Sequence, residues 1–374
     1  MTLILGSLVL PEQVAPGWVL VRDGIFADLG FGQAPSSLTD DEIVDATDCL
    51  VLPGLVDIHC HGGGGHSFDL GIDSARAAAA FHAQAGSTSV MASLGTTTPA
   101  RLLDQVEALG PLVAQGVVLG LHLEGPFLSA ARRGGHPEEL LRAPDRKEVA
   151  EVLQAALGRV SMVTIAPELD GALEVIEQCT GAGVTVALGH TDASAGQTRA
   201  GIDAGATVAT HLFNGMRPIH HREGGPAVAL MDDDRVSCEL ICDGHHVSAE
   251  VCSLAFRALG RDRLILITDA CTAAGMPDGS YVLGTETIVL SGGEVRTADG
   301  RSLCGSALTL IEAVRLATSW GLPLVDAVRA ASLNPARALG LVDRGSLSEG
   351  TRADIVITDQ ALGVRRVMRG GRWL

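Results

Sequence analysis

The chain has 374 residues, of which 47% are hydrophobic and 19% charged, with a net charge of −17. That much apolar material supports a large core and excludes a disordered chain. The acidic balance excludes a polyanion-binding face, which needs clustered basic residues, and no apolar run reaches the ~20 residues of a membrane helix.

The opening TLILGSLVL is apolar but lacks the basic flank of an export signal, and Pro11 follows directly. It reads as a strand, and the cytoplasm is the expected compartment. WVLVRDG and IFADLG continue in the same style, as short β-rich runs broken by Gly, Asp and Pro. From residue 53 the pattern changes to eight short apolar runs: GLVDIHC (54–60), STSVMAS (87–93), VVLGLHL (117–123), VSMVTIA (160–166), VTVALG (184–189), ATVAT (206–210), VSCELIC (236–242) and LILIT (264–268). Ala-rich helical stretches such as SARAAAAFHAQAG and RKEVAEVLQAALG lie between them. Strands alternating with helices predict a parallel sheet of βαβ units, and eight such units predict a (β/α)8 barrel. YVLGTETIVL and GEVRT predict a hairpin insertion, and residues 305–319 and 323–339 predict helices. GSLSEGTRADIVITD and VRRVMRGGRW return to strands and turns. The expected fold is therefore α/β: a TIM-like barrel over residues 53–339, with a small β-sandwich domain built from residues 1–52 and 340–374.

Barrel enzymes place their chemistry at the C-terminal ends of the strands. Here most of the eight runs end at or beside His, Asp or Glu. His59 and His61 are two apart, so on a strand both rings face one side. A four-glycine turn follows them and allows close backbone approach. Glu124 ends the third run, with His122 one layer deeper as a packed or supporting residue. His190 and His211 end the fifth and sixth, and Asp269 ends the eighth. Imidazoles with carboxylates suit Zn2+, Fe2+ or a similar divalent ion. The eight cysteines are scattered with no CxxC, so buried thiols are expected rather than disulfides or a cysteine zinc site.

The segments PGLVDIHCHG, HLEGPF, LGHTDA, THLFNGM, CDGHHV, LITDA and GSLSEGTRADIV together resemble the N-acetylglucosamine-6-phosphate deacetylase family of the amidohydrolase superfamily, over essentially the whole chain. Many binuclear relatives bridge their metals with a carboxylated lysine. The single lysine here, Lys147, lies in the charged segment 145–148, and no barrel strand ends in Lys. The resemblance implies that Glu124 takes that place. It implies two divalent ions, Zn2+ first with Fe2+, Mn2+ or Co2+ as alternatives: His59, His61 and Asp269 on one, His190 and His211 on the other, Glu124 between. Some members lack the first two histidines and look like single-metal enzymes, so a vestigial first pair is the alternative reading.

A metal ion lowers the pKa of bound water from about 15.7 to about 7. The expected reaction is attack of the resulting hydroxide on the acetamide of N-acetylglucosamine 6-phosphate, with Asp269 as general base and then acid. The resemblance places Gly135 and His136 near the substrate. The chain has no P-loop or GxGxxG, so the phosphate needs other donors. Arg222 and His246 match the family's phosphate contacts, Asn214 and Gly215 offer donors beside His211, and Leu303, Cys304 and Gly305 match a backbone-contact segment. Arg217, His220, His221 and His245 read as neighbouring loop residues. The family commonly carries Tyr and Ala where this chain has Phe213 and Gly215, which bears on the detail of the sugar-phosphate contacts. A homodimer is implied, because phosphate-binding residues in this family come partly from a second subunit. The alternatives are the galacto epimer as substrate, a different amide hydrolase, or a non-catalytic scaffold. No nucleic-acid or membrane partner is expected.

Overall fold

The structure is a computed structural model and describes residues 1–35, 42–284 and 286–374. Its largest element is a ring of parallel strands. Ala92–Leu94, Leu121–Glu124, Val160–Ile165, Thr185–Leu188, Val208–Ala209, Ser237–Ile241 and Leu264–Ile267 pair in chain order. The first strand, Val56–Asp57, pairs with Ser89–Val90 and closes the ring at its far end through a parallel bridge from Cys60 to Ala270. The (β/α)8 barrel expected from the eight runs is thus present, with regular strands shorter than the apolar runs. In the first run the regular ladder stops at Asp57, and its carboxylate takes over, accepting Thr268 Oγ1 at 2.6 Å and the Thr268 amide at 3.3 Å.

Local sequence explains the helices between the strands. In Arg146–Ala156 the Asp145 carboxylate caps the Lys147 and Glu148 amides, Val149, Val152 and Ala156 form one buried face, and Leu157 ends the helix in a left-handed conformation. Ala195–Asp203 opens with a reciprocal Ser194–Gln197 box. Strand residues Met91, Leu121, Ile165, Leu188 and Ile267 pack with helix residues Ala75, Val106, Val175 and Ile202 into one apolar shell. The barrel interior below the mouth is polar. His122 bonds Ser93 Oγ through Nδ1 at 2.9 Å and Thr164 Oγ1 through Nε2 at 2.8 Å, and Thr164 Oγ1 meets Thr210 Oγ1 at 2.9 Å.

The stretch expected as one helix over 323–339 is two, Leu324–Ala330 and Leu333–Ala338. Pro335 explains the break, since a proline inside a helix clashes with the carbonyl four residues earlier, in this case Ala331. The segment 305–319 becomes helical only at Leu310, where Thr309 and Glu312 form a capping box. The insertion after the eighth strand is a three-stranded antiparallel sheet, Gly279–Leu283, Glu286–Ser291 and Glu294–Thr297.

Both chain ends share one seven-stranded sheet. Glu42–Pro53 lies at its centre, with Thr2–Val9 and then Val14–Arg22 on one side and Ile355–Thr358 and then Val364–Arg369 on the other. The sheet curls so that Ile25, on the far-edge strand Ile25–Phe31, bridges Arg352. Ile4, Val19, Phe26, Val51, Ile355 and Met368 fill its core. Among the described residues no helix is long and apolar enough to cross a membrane.

Gly54 joins this sheet to the barrel. Its amide donates to the Asp354 carbonyl at 2.8 Å, and a Cβ there would lie 2.1 Å from Thr88 Oγ1 and 2.6 Å from Asp354 Cβ. Gly54→Ala is expected to destabilise the fold by about 1–3 kcal/mol through overpacking, read as a lower midpoint of thermal unfolding. An unchanged midpoint would show that the junction can yield.

Candidate metal centre and active site

The strand ends converge on the mouth of the barrel. His190, His211 and Asp269 follow their strands in the left-handed region, with φ of 46°, 26° and 49°. Such backbone is costly for residues with a Cβ and persists where the surrounding structure over-determines it. Gly215 (φ 58°) is needed for space as well as conformation, since a Cβ there would lie 2.9 Å from His190 Nδ1.

The Glu124 carboxylate is the centre of the cluster, 4% exposed. Its Oε1 faces Nε2 of His211 at 3.0 Å, of His190 at 3.2 Å and of His59 at 3.4 Å. Its Oε2 faces Nε2 of His61 at 3.0 Å and of His136 at 3.5 Å. Asp269 Oδ1 lies 3.4 Å from Nε2 of both His59 and His61.

The other ring nitrogens show what this cluster can hold. His190 Nδ1 lies 2.8 Å from the Arg132 carbonyl, which can only accept, so that nitrogen carries the hydrogen. His59 Nδ1 likewise faces the Glu239 carboxylate at 3.0 Å. In a neutral ring the Nε2 of His59 and of His190 then offers a lone pair, and each faces a second imidazole nitrogen and a carboxylate oxygen: His59 to His61 at 3.3 Å, His190 to His211 at 3.1 Å. A cation placed between these atoms, or protons on the rings, satisfies such an arrangement. With protons as the only cations, burial opposes charge on His59, but Glu124, Glu239 and Asp269 outweigh it and raise that imidazole well above its ordinary value. His61 is raised to about 10, burial again being outweighed by Asp269 and Glu124. Burial opposes ionisation of Glu124 and Asp269, yet His59 and its neighbours hold both below the usual carboxylate range. The donors group as His59, His61 and Asp269, and as Glu124, His136 and His190, with His211 against the second set. Imidazole and carboxylate in these groupings fit a divalent metal.

A cavity of about 420 Å³ opens above the cluster, and His61, Glu124, His136, His190, His211 and Asp269 line it. Asn214, Gly215, Gly135 and His246 line it too, as do Leu303, Cys304 and Gly305 from the segment after the inserted sheet. A Cβ on Gly135 would fall 2.4 Å from Cys304 Sγ, so the two loops meet there. His246 Nδ1 lies 2.6 Å from Asp243 Oδ2. Burial works against its charge, but this carboxylate raises its pKa. His59 is wholly buried beneath the cavity.

Arg222 is not brought to the cavity. It sits on an exposed loop with Nη1 3.0 Å from His221 Nε2. Of the other strand-end acids, Glu168 accepts the Thr191 hydroxyl at 2.5 Å and the Asp192 amide at 2.6 Å, holding the loop that carries His190. Arg132, whose carbonyl receives His190, pairs with Asp192 at 2.8 Å, and Arg217 pairs with the other Asp192 oxygen at 2.8 Å.

Several groups went unnoticed in the sequence. Asp69, Arg296 and Arg301 line the cavity, and nothing in their local pattern places them there. Glu239 left a usable signal, as the one charged residue in the apolar run VSCELIC.

A parallel barrel whose strand ends gather histidines and carboxylates around a buried Glu, below an open polar cavity, defines a metal-dependent hydrolase. Comparison with known proteins narrows the class. The profile of the amidohydrolase family matches residues 50–374, and the chain belongs to that family. The N-acetylgalactosamine-6-phosphate deacetylase of Escherichia coli O157:H7 is 38% identical over 363 residues, 94% of this chain and 93% of that protein. The N-acetylglucosamine-6-phosphate deacetylase of Lysinibacillus sphaericus is 34% identical over 86% of this chain and 85% of its own. A mutant of the Mycobacterium smegmatis N-acetyl-D-glucosamine-6-phosphate deacetylase, in complex with N-acetyl-D-glucosamine-6-phosphate, is similar with a TM-score of 0.95 and 46% identity, covering 100% of this chain and 98% of that one.

Removing metal with a chelator is expected to abolish hydrolysis and to lower the thermal midpoint, because a ligand that binds only the folded state stabilises it by mass action. Restoring a divalent ion should recover both. A chelated protein that elemental analysis finds metal-free, yet with an unchanged midpoint, would contradict a metal held by this cluster.

Proposed function

We propose that this chain hydrolyses the acetamide of N-acetylglucosamine 6-phosphate to glucosamine 6-phosphate and acetate. The observation that carries the reading is the Glu124 cluster with Asp269 beside it, opening into a cavity that His246 also lines. The relatives named for this reaction support it.

His59, His61 and Asp269 would hold one divalent ion and His190 and His211 a second, with Glu124 between them and zinc the first candidate. Three buried carboxylates, Glu124, Asp269 and Glu239, favour two ions over one, because buried charge needs compensation. When bound, the metal polarises the amide carbonyl and activates water for attack at neutral pH.

The remaining work falls to side chains. Asp269 takes the proton released as water adds to the acetyl carbon. It returns that proton to the amide nitrogen as the C–N bond breaks, so acid and amine part without a free proton. His136, which burial keeps below its ordinary pKa, supplies a neutral N–H to the carbonyl oxygen. Asn214 and the backbone of 303–305 contact the sugar. His246, its charge favoured by Asp243, faces the phosphate.

Arg222 lies outside its own cavity, which fits delivery of that guanidinium to a second subunit's site in a homodimer. The eight free cysteines, most of them buried, suit a reducing cytoplasm. The galacto epimer is the second reading, favoured by the Escherichia coli relative.

The test is acetate release from N-acetylglucosamine 6-phosphate, its galacto epimer and unphosphorylated N-acetylglucosamine. The first substrate is expected to dominate kcat/KM. A galacto preference would change the substrate and keep the residue roles, while equal rates with and without phosphate would remove the phosphate site. Asp269→Asn is expected to retain substrate binding and lose about 10²–10⁴ in kcat, and near-normal turnover would refute the role given to Asp269.

A further inference from the structure

Glu239 is a buried acid that the hydrolytic steps do not use. It lies in the strand Ser237–Ile241 and is fully inaccessible. Its Oε2 accepts from His59 Nδ1 at 3.0 Å and from the His211 main-chain amide at 3.1 Å. Its Oε1 has no partner. Among the described residues no Arg or Lys pairs with it, and its one ion-pair partner is the His59 ring. A neutral glutamine would make the same two hydrogen bonds without the cost of burying a charge. The charge therefore needs a reason, and the geometry gives one. A carboxylate on the far nitrogen of a ligating imidazole fixes its tautomer, orients the ring and strengthens it as a donor.

We propose that Glu239 is the positioning residue of the first metal subsite. It holds the hydrogen of His59 on Nδ1, aims the Nε2 lone pair at the point shared with His61 and Asp269, and supplies the negative charge that a cation on His59 offsets. Through the His211 amide it also sets that subsite against the second histidine pair. The proposal rests on the two-ion reading given above and accounts for why His59 and His61 form a working subsite in this chain.

The test is metal titration of the stripped full-length protein with Zn2+ and with Co2+, on wild type and Glu239→Gln, using a competing chelator to read each affinity. The wild type is expected to take two equivalents. Glu239→Gln is expected to keep the apo thermal midpoint and one tight equivalent, and to bind the second about 10- to 100-fold more weakly. The Co2+ absorption of the weakened subsite should fade with it. Two equivalents at wild-type affinity in Glu239→Gln would overturn the proposal and leave Glu239 a hydrogen-bonding residue only. A wild type that takes one equivalent would overturn it together with the two-ion reading. If Glu239→Gln does not fold, Glu239→Asp is titrated in its place, and a wild-type second affinity there would overturn the positioning role, since the shorter side chain falls short of His59. Acetate release does not enter the titration, so failure of the substrate reading leaves this result standing.

Discussion

A carboxylate taken out of water at the mouth of a barrel is the constraint around which the rest is arranged. Glu124 is 4% exposed and has five imidazoles around its two oxygens. No lysine or arginine reaches it among the described ion pairs. An isolated carboxylate in such a place is strongly unfavourable, so the histidines must carry protons or share a cation. Hydrogen bonds on the far side of two rings, to a backbone carbonyl at His190 and to a carboxylate at His59, leave the near side free to ligate.

That arrangement is expensive locally and cheap globally. Three of the gathered residues adopt left-handed backbone, and strain of this kind costs of order 1–3 kcal/mol per residue. The continuous apolar shell between strands and helices can absorb it. Loop-to-loop bonds also contribute. Glu168 fastens the turn after His190, and Asp192 links Arg132 to Arg217. These contacts make the mouth a connected polar frame rather than eight independent strand ends.

Barrel closure and the site are built from the same atoms. The first and eighth strands meet through Asp57 and Thr268, through the Asp269 amide on the His59 carbonyl at 2.9 Å, and through the His61 amide on the Ala270 carbonyl at 2.8 Å. The residues proposed to hold the metal therefore also seal the ring. The sheet made from both chain ends abuts the base of this seam at Gly54, so the termini support the strand that carries His59 and His61.

The amino-acid sequence by itself determined the barrel, the strand character of both ends, and the side chains able to bind a metal. Each of these depends on local pattern: alternating apolar runs, caps, and a chemically distinctive residue at a strand end. Its misjudgements were local too. Regular pairing stopped short of the apolar runs, and Pro335 divided a helix that looked continuous. The tertiary structure alone decided which atoms meet. The Arg132 carbonyl on His190 spans 58 residues and Glu239 on His59 spans 180, and a backbone carbonyl has no sequence signature. It also decided that Arg222 lies outside the cavity while Arg296 and Arg301 border it. A long side chain on a loop can be assigned a chemistry from its type, but its position follows from how distant segments pack.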